Sequence, residues 1–147
     1  MNNIKIINAL MVNIFDDILN IEGKAIGAST FNDLTVTEMH VLEAIGINKK
    51  KSMTEIATNL KVTVGTLTTS INRLVKKGYV DRRRQESDKR VVRVFLTSKG
   101  KSAYMEHEKF HKEMIESMIK GLNIDNQLLL IQSLRQIKQF MKDKYKN

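Results

Sequence analysis

Residues 63–93 read TVGTLTTSINRLVKKGYVDRRRQESDKRVVR, which predicts a short amphipathic helix followed by an arginine-rich hairpin. Spacings of 3, 4, 3 and 1 place five apolar residues on one stripe of that helix: Val64, Leu67, Ile71, Leu74 and Val75. The opposite face is polar or basic and consists of Gly65, Thr66, Thr69, Asn72, Arg73 and Lys76. No carboxylate occurs between Glu55 and Asp81, as expected of a helix that lies against phosphate groups.

The hairpin that follows this helix has the pattern of a basic wing. Gly78 is expected to end the helix, and residues 79–84 and 91–96 alternate in the manner of two strands. The turn at residues 85–89 contains neither Gly nor Pro, so we expect a longer exposed loop rather than a two-residue turn. The whole stretch is interpreted as a DNA-reading helix with a basic wing.

The distribution of charge supports this interpretation. The chain has a formal net charge of +9 over 147 residues. Residues 48–101 hold 15 Lys or Arg and 4 Asp or Glu, whereas the other 93 residues hold 10 and 12. The excess positive charge therefore lies in the middle third of the chain, where it predicts salt-dependent binding to nucleic acid. A merely solvated basic face is the alternative that charge alone leaves open.

The length and composition predict one domain and exclude several classes of protein. The chain has no Cys, which removes disulfides and thiolate nucleophiles and fits a reducing cytoplasm. The N-terminal helix carries charges and has no run of 18 apolar residues, so neither a signal peptide nor a membrane span is expected, and no membrane partner. A Gly-rich phosphate loop and a Ser-His-Asp order are also absent, so an enzyme is not expected.

The helices before the central stretch predict a helix-turn-helix. Residues 4–21 follow a helical apolar pattern, with Gly23 and Gly27 expected in the loop after it. Capping boxes at Thr35/Glu38 and at Ser52/Glu55 predict the starts of two further helices. The second of these is separated from the helix at Thr63 by only two residues.

The helices after the wing predict contacts beyond one chain. A long amphipathic helix is expected from residue 98 to about 122, and a final helix, capped by Asn123 or Asp125, runs to about 144. The first and last helices carry more apolar surface than one neighbour covers, which predicts a twofold dimer. The predicted fold class is mainly α with a small β-hairpin wing, a winged helix-turn-helix with a helical dimerisation region.

The wing sequence at residues 81–100, DRRRQESDKRVVRVFLTSKG, resembles that of MarR-family transcriptional regulators. The matching positions are Asp81, Arg83, Ser87, Asp88, Arg90, Leu96, Thr97 and Gly100. The resemblance implies a single MarR-type domain over residues 1–147, with dimerisation helices at about 1–30 and 100–147 and a winged helix-turn-helix at about 35–99. It also implies a cytoplasmic homodimeric repressor on a pseudo-palindromic DNA operator, with an effector pocket between the two regions.

Two further runs resemble the branch of the family that represses fatty-acid synthesis genes. They are DLTVTEMH at residues 33–40 and VTVGTLTTSIN at residues 62–72. In that branch an acyl-loaded acyl carrier protein acts as co-repressor, so the resemblance implies this effector and no required cofactor. A non-specific architectural DNA binder is a more remote alternative, and it would show a shallow ratio of specific to non-specific affinity.

The expected DNA contacts follow from the outer face of the central helix. Thr66 and Thr69 would reach base edges, Asn72 would pair with adenine, and Arg73 and Lys76 would take phosphate. Thr63 would cap the helix and, near Gly65, favour phosphate at the helix N-terminus. In the wing, Arg90 beside Lys89 would enter the minor groove, with Asp88 as its positioner. Asp81 and Arg83 are expected to form an ion pair.

The three histidines leave three alternatives open. His107 and His111 are four residues apart on one helix face, a spacing that can hold a metal. Zinc-sensing members of the family are similar to this chain at Glu22, His40, His107 and His111, which makes these four residues the candidates for a zinc site. The fatty-acid branch resembles the chain at the same histidines without sensing zinc, so the resemblance commits to no metal. Alternatively, the histidines rim a pocket for acyl or other small ligands that is lined by Ile14, Ile18, Met39 and Met105. Ordinary half-buried histidines are the third alternative.

Overall fold

The computed structural model describes residues 2–145, which form six helices and a small antiparallel sheet. The predicted class, mainly α with a small β wing, is confirmed. The elements in chain order are α1 (Asn3–Ala28), α2 (Val36–Ile45), β1 (Lys51–Ser52), α3 (Met53–Leu60), α4 (Val64–Lys77), β2 (Val80–Arg84), β3 (Val92–Leu96), α5 (Ser98–Ile119) and α6 (Ile124–Lys144).

The first helix is longer than predicted. α1 continues to Ala28, so Gly23 and Gly27 lie inside it rather than in a loop, and the loop prediction was wrong. A glycine inside a helix costs about 1 kcal/mol relative to alanine. Glu22 and Ile26 on the same turns are buried, and this tertiary packing offsets the poor local propensity.

Both predicted capping boxes are present. At the start of α2, Glu38 N donates to Thr35 Oγ1 and Thr35 N donates to Glu38 Oε2, each at 3.1 Å. At the start of α3, Glu55 N donates to Ser52 Oγ at 3.1 Å and Ser52 N donates to Glu55 Oε2 at 2.9 Å. Each box pairs two backbone N–H groups that the first turn of a helix leaves open, and thereby fixes where α2 and α3 begin.

The wing is part of a three-stranded sheet with strand order β1-β3-β2. β2 and β3 pair antiparallel, with Val80 opposite Leu96 and Arg84 opposite Val92. The connecting loop spans residues 85–91, longer than a two-residue turn as predicted. β1 was missed, because a strand of two residues is too short to show alternation.

The core of the winged helix comes from α2, α3, α4 and the sheet. Its most deeply buried members have essentially no exposed surface: Leu42, Ile45, Ile56, Leu67, Ile71, Leu74, Tyr79 and Val94. The predicted apolar stripe of α4 supplies three of these, and Val64 and Val75 lie at its edges with partial exposure. The inner face of α4 is thus fixed, which turns its polar face outward.

The chain divides into two compact units, one ending at Lys109 and one beginning at Phe110, with α5 continuing across the division. In the second unit, Asn123 caps α6 by accepting from Asn126 N at 2.9 Å. None of the residues of α6 is buried. Among residues 2–145, no helix combines the length and apolar character needed to cross a lipid bilayer.

Candidate nucleic-acid interface and histidine cluster

The outer face of α4 presents the predicted set of polar side chains. All of these residues are exposed: Thr63, Gly65, Thr66, Thr69, Asn72, Arg73 and Lys76. Thr63 is the N-cap, as predicted, and its Oγ1 accepts from Thr66 N at 3.1 Å and donates to Thr66 Oγ1 at 2.9 Å. Thr68 Oγ1 donates to Val64 O at 2.8 Å, so this hydroxyl is occupied within the helix.

The end of α4 is held by the Leu-Thr-x-x-Gly segment at residues 96–100. Gly78 has φ +84°, a left-handed conformation that favours glycine, and it ends the helix as predicted. Thr97 Oγ1 donates to Gly78 O at 2.6 Å and accepts from Gly100 N at 3.2 Å. A Cβ on Gly100 would lie 2.0 Å from Tyr79 O, so only glycine fits there. These contacts fix the wing and α5 to the end of α4.

The arginines at positions 82, 83 and 84 have three different partners. Arg82 Nη1 donates to Asn72 Oδ1 at 2.7 Å, which joins β2 to α4. The Arg83 guanidinium lies 5.6 Å from the centre of the Phe95 ring, and Arg84 Nη1 donates to Lys89 O at 3.1 Å. The arrangement follows from the strand, because side chains at 82 and 84 lie on one face and the side chain at 83 on the other.

Within residues 2–145, the structure contains no Asp81–Arg83 ion pair, and that expectation was wrong. Asp81 Oδ1 instead accepts from the backbone N of Arg82 at 2.8 Å. Asp81 and Arg83 do share a face of β2, as the alternation requires. The Phe95 ring, opposite Asp81 in the register, provides the surface over which the Arg83 guanidinium lies instead.

The tip of the wing contains the predicted Asp88–Arg90 pair. Arg90 Nε donates to Asp88 Oδ1 at 3.1 Å, Arg90 Nη2 donates to Asp88 Oδ2 at 3.3 Å, and Arg90 N also donates to Oδ1 at 3.1 Å. The side-chain bonds, followed by the backbone bond, hold the pKa of Asp88 below its ordinary value. The Arg90 side chain is 91% exposed, so it is oriented by Asp88 but open to a ligand.

A partly buried network attaches the C-terminal end of α4 to the start of α2. Tyr79 is fully buried, and its hydroxyl donates to Asp33 Oδ1. Lys77 Nζ donates to Glu38 Oε2 at 2.8 Å and also to Asp33 O. Burial, and then the hydrogen bond to Asp33, raise the pKa of the Tyr79 phenol. Glu38 therefore serves both the capping box of α2 and the C-terminal end of α4.

His40 and His107 meet at the buried carboxylate of Glu22. Glu22 is 2% exposed and His107 is 4% exposed. His107 Nε2 lies 3.5 Å from Glu22 Oε1 and 3.0 Å from Glu43 Oε1, while His40 Nε2 lies 3.4 Å from Glu22 Oε2. His40, Glu43 and His107 each offer a ligand atom within 4.8 Å of the others. His111 follows His107 by one turn of α5 and belongs to the second unit.

The apolar residues predicted to line an effector pocket differ in their exposure to solvent. Met39 is 2% exposed and forms part of the core. Ile14 and Met105 are exposed, and Ile18 is half-buried. Of the predicted pocket residues, the structure therefore brings together His40 and His107, and it adds Glu43, which the sequence reasoning missed.

Comparison with known proteins identifies the family of this chain. The family model described as MarR family matches residues 32–91, which contain α2 to the wing loop. The crystal structure of Streptococcus pneumoniae FabT in complex with DNA is 37% identical, with a TM-score of 0.91, over 95% of this chain and 97% of that chain. The chain belongs to the MarR family. MarR regulators bind DNA and are not enzymes, which agrees with the expectation from composition.

Other MarR-type proteins are similar over parts of the chain or at lower identity. A MarR mutant from E. coli complexed with operator DNA has 26% identity and a TM-score of 0.73, over 92% of this chain and 96% of that chain. The transcriptional regulator SarZ of Staphylococcus saprophyticus is 42% identical over 69 residues, which are 47% of each protein. The chain thus spans about half the length of the curated relatives it matches.

Two functional candidates in this MarR chain lay outside the sequence-based prediction. The sequence pattern predicts only a positive charge at Arg82 and no role for Glu43. Glu43 has a detectable signal, because it lies three residues after His40 on α2 and so on the same side of that helix. Arg82 follows Val80 by two residues and therefore lies on the helix-facing side of β2.

Proposed function

We propose that this chain is a sequence-specific DNA-binding transcriptional repressor that acts as a homodimer on a pseudo-palindromic operator. The observation that carries the proposal is the acid-free outer face of α4, exposed beside a wing whose Arg90 is held ready by Asp88. Support comes from the 37% identity to FabT, which was solved with DNA, across 97% of that chain.

In this proposal α4 enters the major groove with its first turns leading. Thr66 and Thr69 offer hydroxyl or methyl groups to base edges, and Arg73 and Lys76 take phosphate. The N-terminus of α4, with Gly65 exposed beside the Thr63 cap, favours a phosphate because its backbone N–H groups point outward. Arg90 and Lys89 at the wing tip enter the minor groove, where a narrow A·T tract concentrates negative potential.

The homodimer is supported by exposed apolar side chains on two helices. On α1 these include Ile7, Leu10 and Phe15, each more than half exposed. On α6 they include Leu128, Leu134 and Phe140, also each more than half exposed. Surfaces of this kind mark interaction sites. A second copy that covers such surfaces would give the protein the twofold symmetry that matches a pseudo-palindromic operator.

The test is binding of the purified full chain to DNA from its own upstream region. We expect a footprint on a pseudo-palindromic sequence and an affinity that falls steeply with salt, because several phosphate contacts release counterions. A specific repressor should prefer its operator over unrelated duplex by roughly 10³-fold or more. An architectural binder would show a shallow ratio and no footprint, and an affinity independent of salt would contradict the proposal.

The finer function that we propose is repression of fatty-acid synthesis genes with acyl-acyl carrier protein as co-repressor. Its support is the pair of runs at residues 33–40 and 62–72 and the likeness to FabT. The decisive experiment compares operator affinity with acyl-loaded carrier protein and with the same carrier protein lacking its acyl chain. Tighter binding with the acyl form alone is expected, and equal effects of the two forms would refute this co-repressor.

A second candidate function is a zinc-responsive repressor, favoured by the cluster of His40, Glu43 and His107 around Glu22. Imidazole nitrogens and carboxylate oxygens are ligands that Zn²⁺ prefers, and three such atoms converge here within 4.8 Å. Zinc would replace the His107–Glu43 contact of 3.0 Å. Calorimetric titration with zinc, on the native chain and on His107→Ala, tests this candidate. Heat that is identical for both proteins would eliminate the site.

A further inference from the structure

We infer that Arg82 is a positioning residue that orients the Asn72 carboxamide for base reading. This inference rests on the proposed DNA-binding function and deepens it. Arg82 Nη1 donates to Asn72 Oδ1 at 2.7 Å, so a side chain of the wing reaches across to the outer face of the reading helix. Both side chains are exposed, and the bond therefore lies on the surface that would meet DNA.

The arginine is placed by the strand that carries it. Val80 is 2% exposed, and Arg82 lies two residues further along the same face of β2. That face is turned toward α4, where Val80 is buried and Arg82 emerges at the margin. The backbone N of Arg82 donates to Asp81 Oδ1 at 2.8 Å, which restrains the start of the side chain. Hydrogen bonds thus hold Arg82 at both ends, at its backbone N to Asp81 and at its guanidinium group to Asn72 on α4.

The contact determines which end of the Asn72 side chain is available to DNA. A carboxamide has an acceptor oxygen and a donor nitrogen. Oδ1 accepts from Arg82, whereas Nδ2 has no hydrogen-bond partner within residues 2–145. Asn72 is thereby poised to donate to an acceptor in the major groove, such as a purine N7, guanine O6 or thymine O4. The sequence pattern predicts that Asn72 pairs with adenine, and a bidentate pair of that kind would need Oδ1 for the base as well.

The neighbouring arginines provide matched comparisons. Arg84 is on the same face of the same strand and carries the same charge, but it donates to Lys89 O in the wing loop. Arg83 lies over the Phe95 ring on the other face. A role that depended only on positive charge would be shared by Arg82 and Arg84, whereas positioning of Asn72 belongs to Arg82 alone.

The experiment selects binding sites for the purified protein from a randomised duplex pool. The proteins compared are the native chain, Asn72→Ala, Arg82→Ala, the double variant and Arg84→Ala as control. We expect Asn72→Ala to lose the preference for one base pair per half-site by roughly 5- to 100-fold. Arg82→Ala should lose the preference at that same base pair, and the double variant should lose no more than Asn72→Ala does. Arg84→Ala should retain it.

Two other outcomes overturn the inference, and they are distinguishable. If the native chain selects a consensus but Arg82→Ala retains every base preference and only weakens binding uniformly with a salt slope smaller by about 1, Arg82 is a phosphate contact. In that case the inference fails and the proposed function stands. If the native chain selects no consensus, the proposed function fails and the inference fails with it. Thermal unfolding of each variant confirms that it is folded.

Discussion

The winged helix and the terminal helices differ in how many of their apolar side chains are buried within this chain. In α2, α3 and α4, apolar residues such as Leu42, Ile56 and Leu74 have no exposed surface. In α6 no residue is buried, and in α1 only Glu22 and Ile26 are. The winged helix therefore has its core within one chain, whereas the terminal helices retain exposed apolar faces, which the proposed dimer would cover. Substitutions in the two regions should consequently alter different properties.

The largest effect is expected from a charge on an apolar face of α6. Leu134 is 55% exposed, so Leu134→Arg should leave the single chain folded but place a cation inside the proposed dimer interface. Loss of the dimer separates the two half-site contacts and should weaken operator binding by about 10²- to 10⁴-fold. Sedimentation measures the oligomeric state, and fluorescence anisotropy with a labelled operator measures the affinity.

The control is Gln132→Arg, which adds the same charge on the polar side of the same helix. It should leave both the oligomeric state and the affinity nearly unchanged. If the native chain sediments as a monomer, the proposed dimer is contradicted. The exposed apolar faces of α1 and α6 would then not be covered by a second copy. Dissociation of Gln132→Arg as well would show that the interface extends beyond the apolar face.

The sequence allowed prediction of most of the winged helix because its signals are local. The stripe from Val64 to Val75 repeats at the helical period, and the boxes at Thr35 and Ser52 place two helix starts at single residues. The pairing of Asp88 with Arg90 is also local, because the residues are two apart in a loop. Contacts between neighbours in sequence can be inferred from residue types and spacing alone.

Contacts between distant segments could not be predicted in the same way. The Arg82–Asn72 bond joins residues ten apart on different elements, and Glu43 meets His107 across two helices. α1 passes through Gly23 because of tertiary packing, which overrides local propensity. The Leu-Thr-x-x-Gly motif was recognised as a family pattern, but its reason, a backbone approach at Gly100, is visible only in the fold.

A second prediction concerns the stability of the winged helix itself. Gly100→Ala would place a Cβ 2.0 Å from Tyr79 O, and a backbone atom cannot move aside as a flexible side chain can. Overpacking of this kind typically costs about 1–3 kcal/mol, and we expect the upper end of that range. Urea denaturation of the two proteins measures the difference in the free energy of unfolding.

Gly27→Ala is the matched control for that experiment. Gly27 is inside α1, and a Cβ there would meet nothing within 4 Å. The substitution should raise the free energy of unfolding by up to about 1 kcal/mol, because alanine has the higher helix propensity. Equal stability of Gly100→Ala and the native chain would contradict the close approach at residues 96–100.

A third and smaller effect is expected at the wing tip. Arg90→Ala should leave the dimer intact and weaken binding to an A·T-rich operator by about tenfold, near the lower end of what one specific contact provides. The loss should be smaller on a G·C-rich operator, because a wider minor groove attracts the guanidinium less. Anisotropy on both duplexes at one salt concentration measures the difference. Equal losses of affinity on the two operators would contradict the placement of Arg90 in the minor groove.

The smallest effect is a change in the titration of Asp88. Hydrogen bonds from Arg90 hold the pKa of Asp88 below its ordinary value, so the pair persists at neutral pH and is lost only as the pH falls through that lowered pKa. Arg90→Ala removes the side-chain donors, and the pKa of Asp88 should therefore rise toward its ordinary value. Carboxyl-carbon NMR shifts followed against pH measure it, with Arg84→Ala as a control that keeps both donors. If the pKa of Asp88 is the same in Arg90→Ala as in the native chain, the Arg90 guanidinium does not bond to Asp88 in solution. Arg90 would then reach DNA without a fixed orientation.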